Sequence, residues 1–238
     1  THTDSSAASD VYKRQMKSQV HDGTYMLIFS IVLSMLIVLH YFRSNQNFYK
    51  KSKRLKIMAT IWMVQNAFLL ISVAIRNYHY IDNFGLAYKR IGVVIFLFLT
   101  LSGLLTLMFK IHRKRSTFFL FRVNGLVAFA VLMAMSLVNW DVIIAKYNLN
   151  KFDKDNLDVA FLLTLSDKAL PLMLEHQEKF DKEGYLKNPG KRGTVNYKEY
   201  LLERKEQFLE KYPKYSWCSW NLADDKAYHL LHLYSSAD

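Results

Sequence analysis

Two groups of polar residues could carry chemistry, and each sits beside a long apolar stretch. The first is RNYHYIDNFGLAYKRIG, Arg76 to Gly92, with four charged and four aromatic side chains around a glycine turn. Arg76, His79, Asp82, Lys89 and Arg90 could line an outward-facing polar site, and a membrane enzyme acting on an anionic lipid headgroup or glycan would use His79 and Asp82 with the basic residues. If the preceding helix runs past Ile75, Arg76 and His79, or His79 and Asn83, lie one turn apart. The simpler reading is a helical hairpin: tyrosines and basic side chains gather where membrane meets water, and Asn83 to Gly85 supplies the turn, with Gly85 free to take positive φ. The second group is Gln65, Asn66, Arg122 and Asn124, which interrupt apolar runs. Such residues are costly in lipid and face other helices or a transport path. They read first as contacts between helices, with convergence on one mid-membrane cavity as the transporter alternative.

Other candidates are weaker. His229 and His232 with Asp225 form a conceivable metal face, but two histidines on an amphipathic helix are the simpler explanation. Asp153 with Asp155, and Asp224 with Asp225, read as solvated charges. One cysteine, Cys218, provides neither a disulfide framework nor a cysteine zinc site, and Trp217 and Trp220 around it read as a core or interface plug. The patterns HExxH, GxSxG, GxxxxGK[ST] and GxGxxG do not occur. No catalytic residue, metal or cofactor is therefore assigned.

Four apolar runs must position these residues: Tyr25 to Phe42, Ile57 to Ile75, Ile91 to Phe109 and Phe118 to Val138, each 18 to 21 residues long. At about 1.5 Å per residue, each can cross a hydrocarbon core of roughly 30 Å. The net charge of +12 is concentrated between these runs: residues 1 to 138 hold 17 Lys and Arg against 4 Asp and Glu, whereas residues 139 to 238 hold 15 against 16. Basic residues separated by membrane spans cannot form one phosphate-binding face, which argues against nucleic acid. Loop charge sets the expected orientation. Arg43 to Lys56 has six basic residues and no acidic one, and Lys110 to Thr117 has four and none, so both are expected inside. The Arg76 to Arg90 segment and everything after Val138 are then outside. Ser30 with Ser34, and Ala130 with Ala134, have the small-residue spacing that allows close helix approach.

The fold class that follows is all-α: a polytopic helical membrane protein with four spans and a small extracytoplasmic helical domain. Residues 1–19, including SSAASDVYKRQ at Ser5 to Gln15, read as a cloning or sequencing linker and are set aside. Residues 20–138 form the transmembrane domain, with spans at about 25–42, 57–75, 91–109 and 118–138. Residues 139–238 form the helical domain. Within it, helices are expected over Asn139 to Leu149, Asn156 to Leu165, Ser166 to Phe180, Asn196 to Tyr212 and Asn221 to Tyr234, with a loop over Lys187 to Gly193. Ser166 is the expected N-cap of the third, and Pro171 is tolerable only near its start.

The segments from Asn47 to Val93, LFRVNGLVAFAVLMAMSLVNWDVIIAKYNL and LDVAFLLTLSDKALP resemble the C-terminal half of bacterial membrane proteins grouped as domain of unknown function 4173, related to group 4153. The likeness is strongest at RNYHYIDNFGLAYKRIG, FRVN and NWD. The resemblance implies a multi-pass protein of the bacterial inner membrane with further spans upstream, and it implies no activity. The expected partners are the lipid bilayer and other membrane proteins or upstream spans. The expected role is a non-enzymatic scaffold, sensor or regulatory subunit, with transporter and envelope enzyme as the rivals.

Overall fold

The computed structural model describes residues 26–37, 40, 53–185 and 194–235. The linker expectation at residues 1–19 and the Lys187 to Gly193 loop lie outside them, as does most of the first basic loop. The described residues fall into two compact units. One comprises those up to Phe84 together with Lys89–Ser136; the other comprises Gly85–Tyr88 together with those from Leu137 on.

The first unit is helical: α1 (Met26–Ile37), α2 (Lys53–Phe84), α3 (Tyr88–His112) and α4 (Thr117–Leu137). α2, α3 and α4 are long and apolar enough to cross a membrane; the described part of α1 is a shorter apolar helix. In hydrocarbon a chain must satisfy its own backbone polar groups, and a helix does so within one segment. Several hydroxyls are hidden the same way. Thr60 donates to the Lys56 carbonyl and Thr100 to that of Phe96, both at 2.8 Å.

α2 buries Ala59, Met63, Asn66, Leu70, Val73, Asn77 and Tyr80, alternating steps of four and three. This is the 3.5-residue seam of helices that pack nearly antiparallel or parallel along their length. α3 answers with Leu97, Leu104 and Ile111, seven apart, and Ile31 and Leu120 join the same apolar cluster from α1 and α4. α4 is different: Leu120 is its one buried residue, and only 6% of its apolar window lies buried.

α2 extends nine residues past the expected span, so Arg76, His79 and Asp82 are helical rather than in a loop. The connection to α3 shrinks to Gly85, Leu86 and Ala87. As the turn requires, Gly85 has φ +80°. At the other end of α3, Lys114 takes φ 52° and the Arg115 amide donates to the Lys110 carbonyl at 3.0 Å, which closes the helix end.

The second unit contains α5 (Trp140–Lys151), α6 (Val159–Leu162), α7 (Leu170–Glu175), α8 (Tyr197–Lys211) and α9 (Leu222–Ser235). Ile144, Leu149, Leu162, Leu170, Met173 and Phe180 anchor its core. Four expectations need correction. The helix expected over Asn156 to Leu165 is only the four residues of α6, which Asp158 caps. The unit is not purely helical: β1 (Glu183–Tyr185) pairs antiparallel with β2 (Thr194–Asn196), Gly184 opposite Val195. Asn196 then ends the strand by capping α8, its Oδ1 accepting from the Lys198 amide at 2.9 Å. Next, the expected helix over Ser166 to Phe180 is broken into single 3-10 turns at Asp167–Ala169 and Gln177–Phe180 flanking α7. Pro171 sits in the first turn of α7, where its missing amide is harmless. Ser166 does not cap through its side chain, because its hydroxyl is engaged elsewhere. Finally, Trp217 and Trp220 are 87% and 58% exposed and so are not core residues.

Candidate functional site

The three-residue turn after α2 is the best-built polar locus. Asn148 of α5 is buried and takes both backbone groups of Leu86: its Oδ1 accepts from the Leu86 amide at 2.7 Å, and its Nδ2 donates to the Leu86 carbonyl at 2.9 Å. A primary amide is the one short side chain with a donor and an acceptor side by side, which is why Asn fits a peptide unit lying edge on. Gly85 is required here twice over. A Cβ on it would sit 2.4 Å from Asn148 Oδ1.

A carboxylate completes the locus. Asp141, in the first turn of α5, accepts from the Tyr88 hydroxyl on one oxygen and from the Ser166 hydroxyl, at 2.7 Å, on the other. Farther along the same unit, Arg204 of α8 donates to Asp167 Oδ1 at 2.6 Å and to the Leu163 and Leu165 carbonyls at 2.8 and 2.5 Å. Arg204 thereby holds the short segment between α6 and α7 by its backbone, as a planar fork can. Tyr88, Asp141 and Ser166 come from the three stretches RNYHYIDNFGLAYKRIG, NWD and LDVAFLLTLSDKALP, so the quoted motifs meet at one carboxylate.

The five residues proposed for an outward polar site are divided by this arrangement. Arg76, His79, Asp82 and Lys89 are exposed, whereas Arg90 is buried, its guanidinium 4.3 Å from the centre of the Tyr80 ring. Asn77, also buried, donates to the Arg90 carbonyl at 3.3 Å. His79 contributes its carbonyl to the Asn83 side chain at 2.8 Å. The cation–π pair and the Asn77 bond tie α2 to α3 just below the turn.

Of the intramembrane polar set, two residues share a space. Ser30, Ser34, Trp62, Gln65, Asn66 and Leu69 line a recess of about 410 Å3 on α1 and α2. Asn66 is 3% exposed; its Nδ2 donates to the Trp62 carbonyl at 2.9 Å, while its Oδ1 has no partner. Arg122 is exposed on α4, and Asn124, half-buried with an unpartnered Oδ1, does not line the recess either. On α9, His229 lies 3.8 Å from Asp225, and among the described residues no group of three potential ligands could hold a metal.

Sequence reasoning missed Asn77, Asn148, Tyr88 as a donor, and Arg204. Asn148 gives no sequence signal, because no spacing rule links it to Leu86, 62 residues earlier. Asp141 was within reach as part of NWD.

A family model described as a domain of unknown function, DUF4153, matches residues 14–176. This is the group that the motif resemblance placed second, behind 4173, and the match begins inside the stretch set aside as a linker. No curated protein and no solved structure matches.

Proposed function

Because the chain belongs to the DUF4153 family, whose matched region holds all of α2, α3 and α4, we propose that it is a multi-pass protein of the bacterial inner membrane that acts as a scaffold or regulatory subunit. In this reading, residues 20–138 form four spans, the first continuing beyond the described part of α1. Residues 139–238 are an extracytoplasmic domain. The observation that carries the reading is α4. Phe118, Phe121, Leu126, Phe129, Leu132 and Leu137 are 60–83% exposed on a helix with one buried residue. Such a surface has lipid or another apolar span for its solvent. The scaffold role is supported by how the best polar groups are used: Asn148 and Asp141 are each bonded at both ends to other parts of the fold.

The orientation rests on the basic loops. Its test uses Cys218, the one cysteine. In spheroplasts, a membrane-impermeant maleimide is expected to label Cys218, whereas Ser116→Cys in a Cys218→Ser background is expected to react only after permeabilisation. Reversed labelling overturns the orientation, and release of the chain by alkaline carbonate overturns the membrane assignment.

Transport is the second reading, and the recess favours it: Ser30, Ser34, Gln65 and Asn66 offer uncharged donors and acceptors where lipid tails offer none. Only two of the four residues that a transport path was expected to use line that space. The envelope-enzyme reading has no comparable observation behind it.

A further inference from the structure

The recess on α1 and α2 lies deep in the spans, yet most of its lining is polar. On α2, Trp62, Gln65, Asn66 and Leu69 follow the spacing of one helix face, and on α1, Ser30 and Ser34 stand one turn apart. The depth is central. Asn66 is nine residues from each end of the apolar run Ile57 to Ile75, about 13 Å at 1.5 Å per residue. Ser34 is at the middle of the run Tyr25 to Phe42. Of the six lining residues Asn66 is the buried one, whereas Ser30, Trp62 and Gln65 are exposed at the rim. In a bilayer the opening therefore faces acyl chains.

One amide defines what the recess takes. Asn66 Nδ2 donates to the Trp62 carbonyl at 2.9 Å, and its Oδ1 has no partner among the described residues. The amide cannot turn over to change this, because the Trp62 carbonyl would then face an oxygen. Whatever Oδ1 accepts from must be an N–H or O–H group, and acyl chains carry none. None of the six lining residues is charged, so a charged ligand would find no counter-ion there and a neutral one is favoured. Trp62 and Leu69 supply apolar wall for the rest of such a molecule. Size separates a ligand from a neighbouring helix. A recess of about 410 Å3 is more than one inserted side chain fills, and it falls within the range of roughly 300–1,000 Å3 typical of small-molecule sites.

We propose that this recess is a binding site for a neutral, lipid-soluble molecule that donates a hydroxyl or amide N–H to Asn66 Oδ1 and lays its apolar body along Trp62 and Leu69. The proposal rests on the membrane assignment of α2 to α4 and names a ligand class for the space that the transport reading uses. It claims binding alone, so it holds whether or not the ligand crosses. The test uses the full chain in phospholipid vesicles with two probes: a long-chain alcohol carrying a photoreactive diazirine, and its methyl ether, which accepts a hydrogen bond but cannot donate one. Crosslinked residues are mapped by mass spectrometry. The alcohol is expected to label residues 30–34 and 62–69 saturably, and the ether about tenfold less, the ratio that one hydrogen bond gives. In Asn66→Leu that preference is expected to disappear. Equal labelling of the recess by both probes in the unaltered chain refutes the donor requirement and the site with it, and a preference that survives Asn66→Leu refutes the role of Asn66. If the exposed Phe121 and Phe129 of α4 are labelled but the recess is not, protein covers the recess and the inference is equally wrong. Flotation with the vesicles is measured first: failure to float refutes the membrane assignment, whereas a floating chain without the alcohol preference refutes only the site.

Discussion

Replacing Gly85 with alanine tests the clamp at the α2–α3 turn most directly, because the new atom meets the group that forms it. The backbone there has φ +80°, and a Cβ would lie 2.4 Å from Asn148 Oδ1 and 3.1 Å from Phe152 Cε2. That oxygen is the acceptor for the Leu86 amide at 2.7 Å, so it cannot retreat without giving up its bond. The left-handed conformation costs an L-residue about 1–2 kcal/mol. Leaving the Leu86 amide or carbonyl unpaired costs about 1–3 kcal/mol more. Alanine's lower freedom in the unfolded chain returns about 0.4–1 kcal/mol. The expected net loss is about 2–4 kcal/mol. The control is Gly125 in α4, where a Cβ meets nothing within 4 Å. There alanine is expected to stabilise the helix by about 0.5–1 kcal/mol. Both variants can be followed by thermal unfolding in detergent, read by circular dichroism. Asn148→Ala should lose nearly as much as Gly85→Ala, and the double variant should lose much less than the sum, since both remove one clamp. Equal melting of Gly85→Ala and Gly125→Ala, or full additivity with Asn148→Ala, would refute the reasoning.

Two further outcomes are expected. Asp141→Ala should cost about 1–2 kcal/mol, measured as a lowered denaturation midpoint, because it removes a part-buried bond from the Ser166 hydroxyl and an exposed one from that of Tyr88, whereas Asp141→Asn should cost less than about 1 kcal/mol, since a hydroxyl can turn and accept from the new amide. Above pH 10 the second unit should weaken. Burial, then Asp158, raises the Tyr197 phenol; burial, then the Asp225 hydrogen bond and the charges of Asp224, Asp225 and Tyr228, raises Tyr212. A phenol raised on folding contributes stability that is complete below its unfolded value near 10 and is lost as pH climbs through the folded value. Melting temperature should therefore stay level up to about pH 10 and fall beyond it, and Tyr197→Phe with Tyr212→Phe should flatten that fall.

What could be read from the sequence was set by local physics. The apolar runs announce α2, α3 and α4 because length and hydrophobicity are properties of a single segment, and Gly85 announces its own turn because no other residue enters that conformation as easily. The ends of those helices were less legible. Arg76 to Phe84 looks like a loop by charge, yet it continues α2, because Asn77 and Tyr80 extend the seam that Ala59 begins and Arg90 covers Tyr80 from α3. The hairpin of β1 and β2 was missed for the opposite reason. Three-residue strands carry too little alternation to register, and no local pattern links Glu183–Tyr185 to Thr194–Asn196.

The polar residues show most clearly where spacing arguments stop. Charge drew attention to Arg76, His79, Asp82 and Lys89, which are exposed, while the neutral Asn148 and the single carboxylate of Asp141 organise the fold around the turn. A buried side chain is chosen for the number of bonds it can make at once, and that number is invisible until its partners are adjacent. Asp141 accepts from residues 53 positions before it and 25 after it. Tyr88, Asp141 and Ser166 therefore depend on one another while looking unrelated in sequence. In a membrane chain this matters more than in a soluble one, because hydrophobicity does not choose among helix partners when lipid tails are as apolar as leucine. Specific bonds at the ends of the spans must do so. That is why the conspicuous stretch RNYHYIDNFGLAYKRIG is best understood through Leu86 and Tyr88, which Asn148 and Asp141 hold within the second unit.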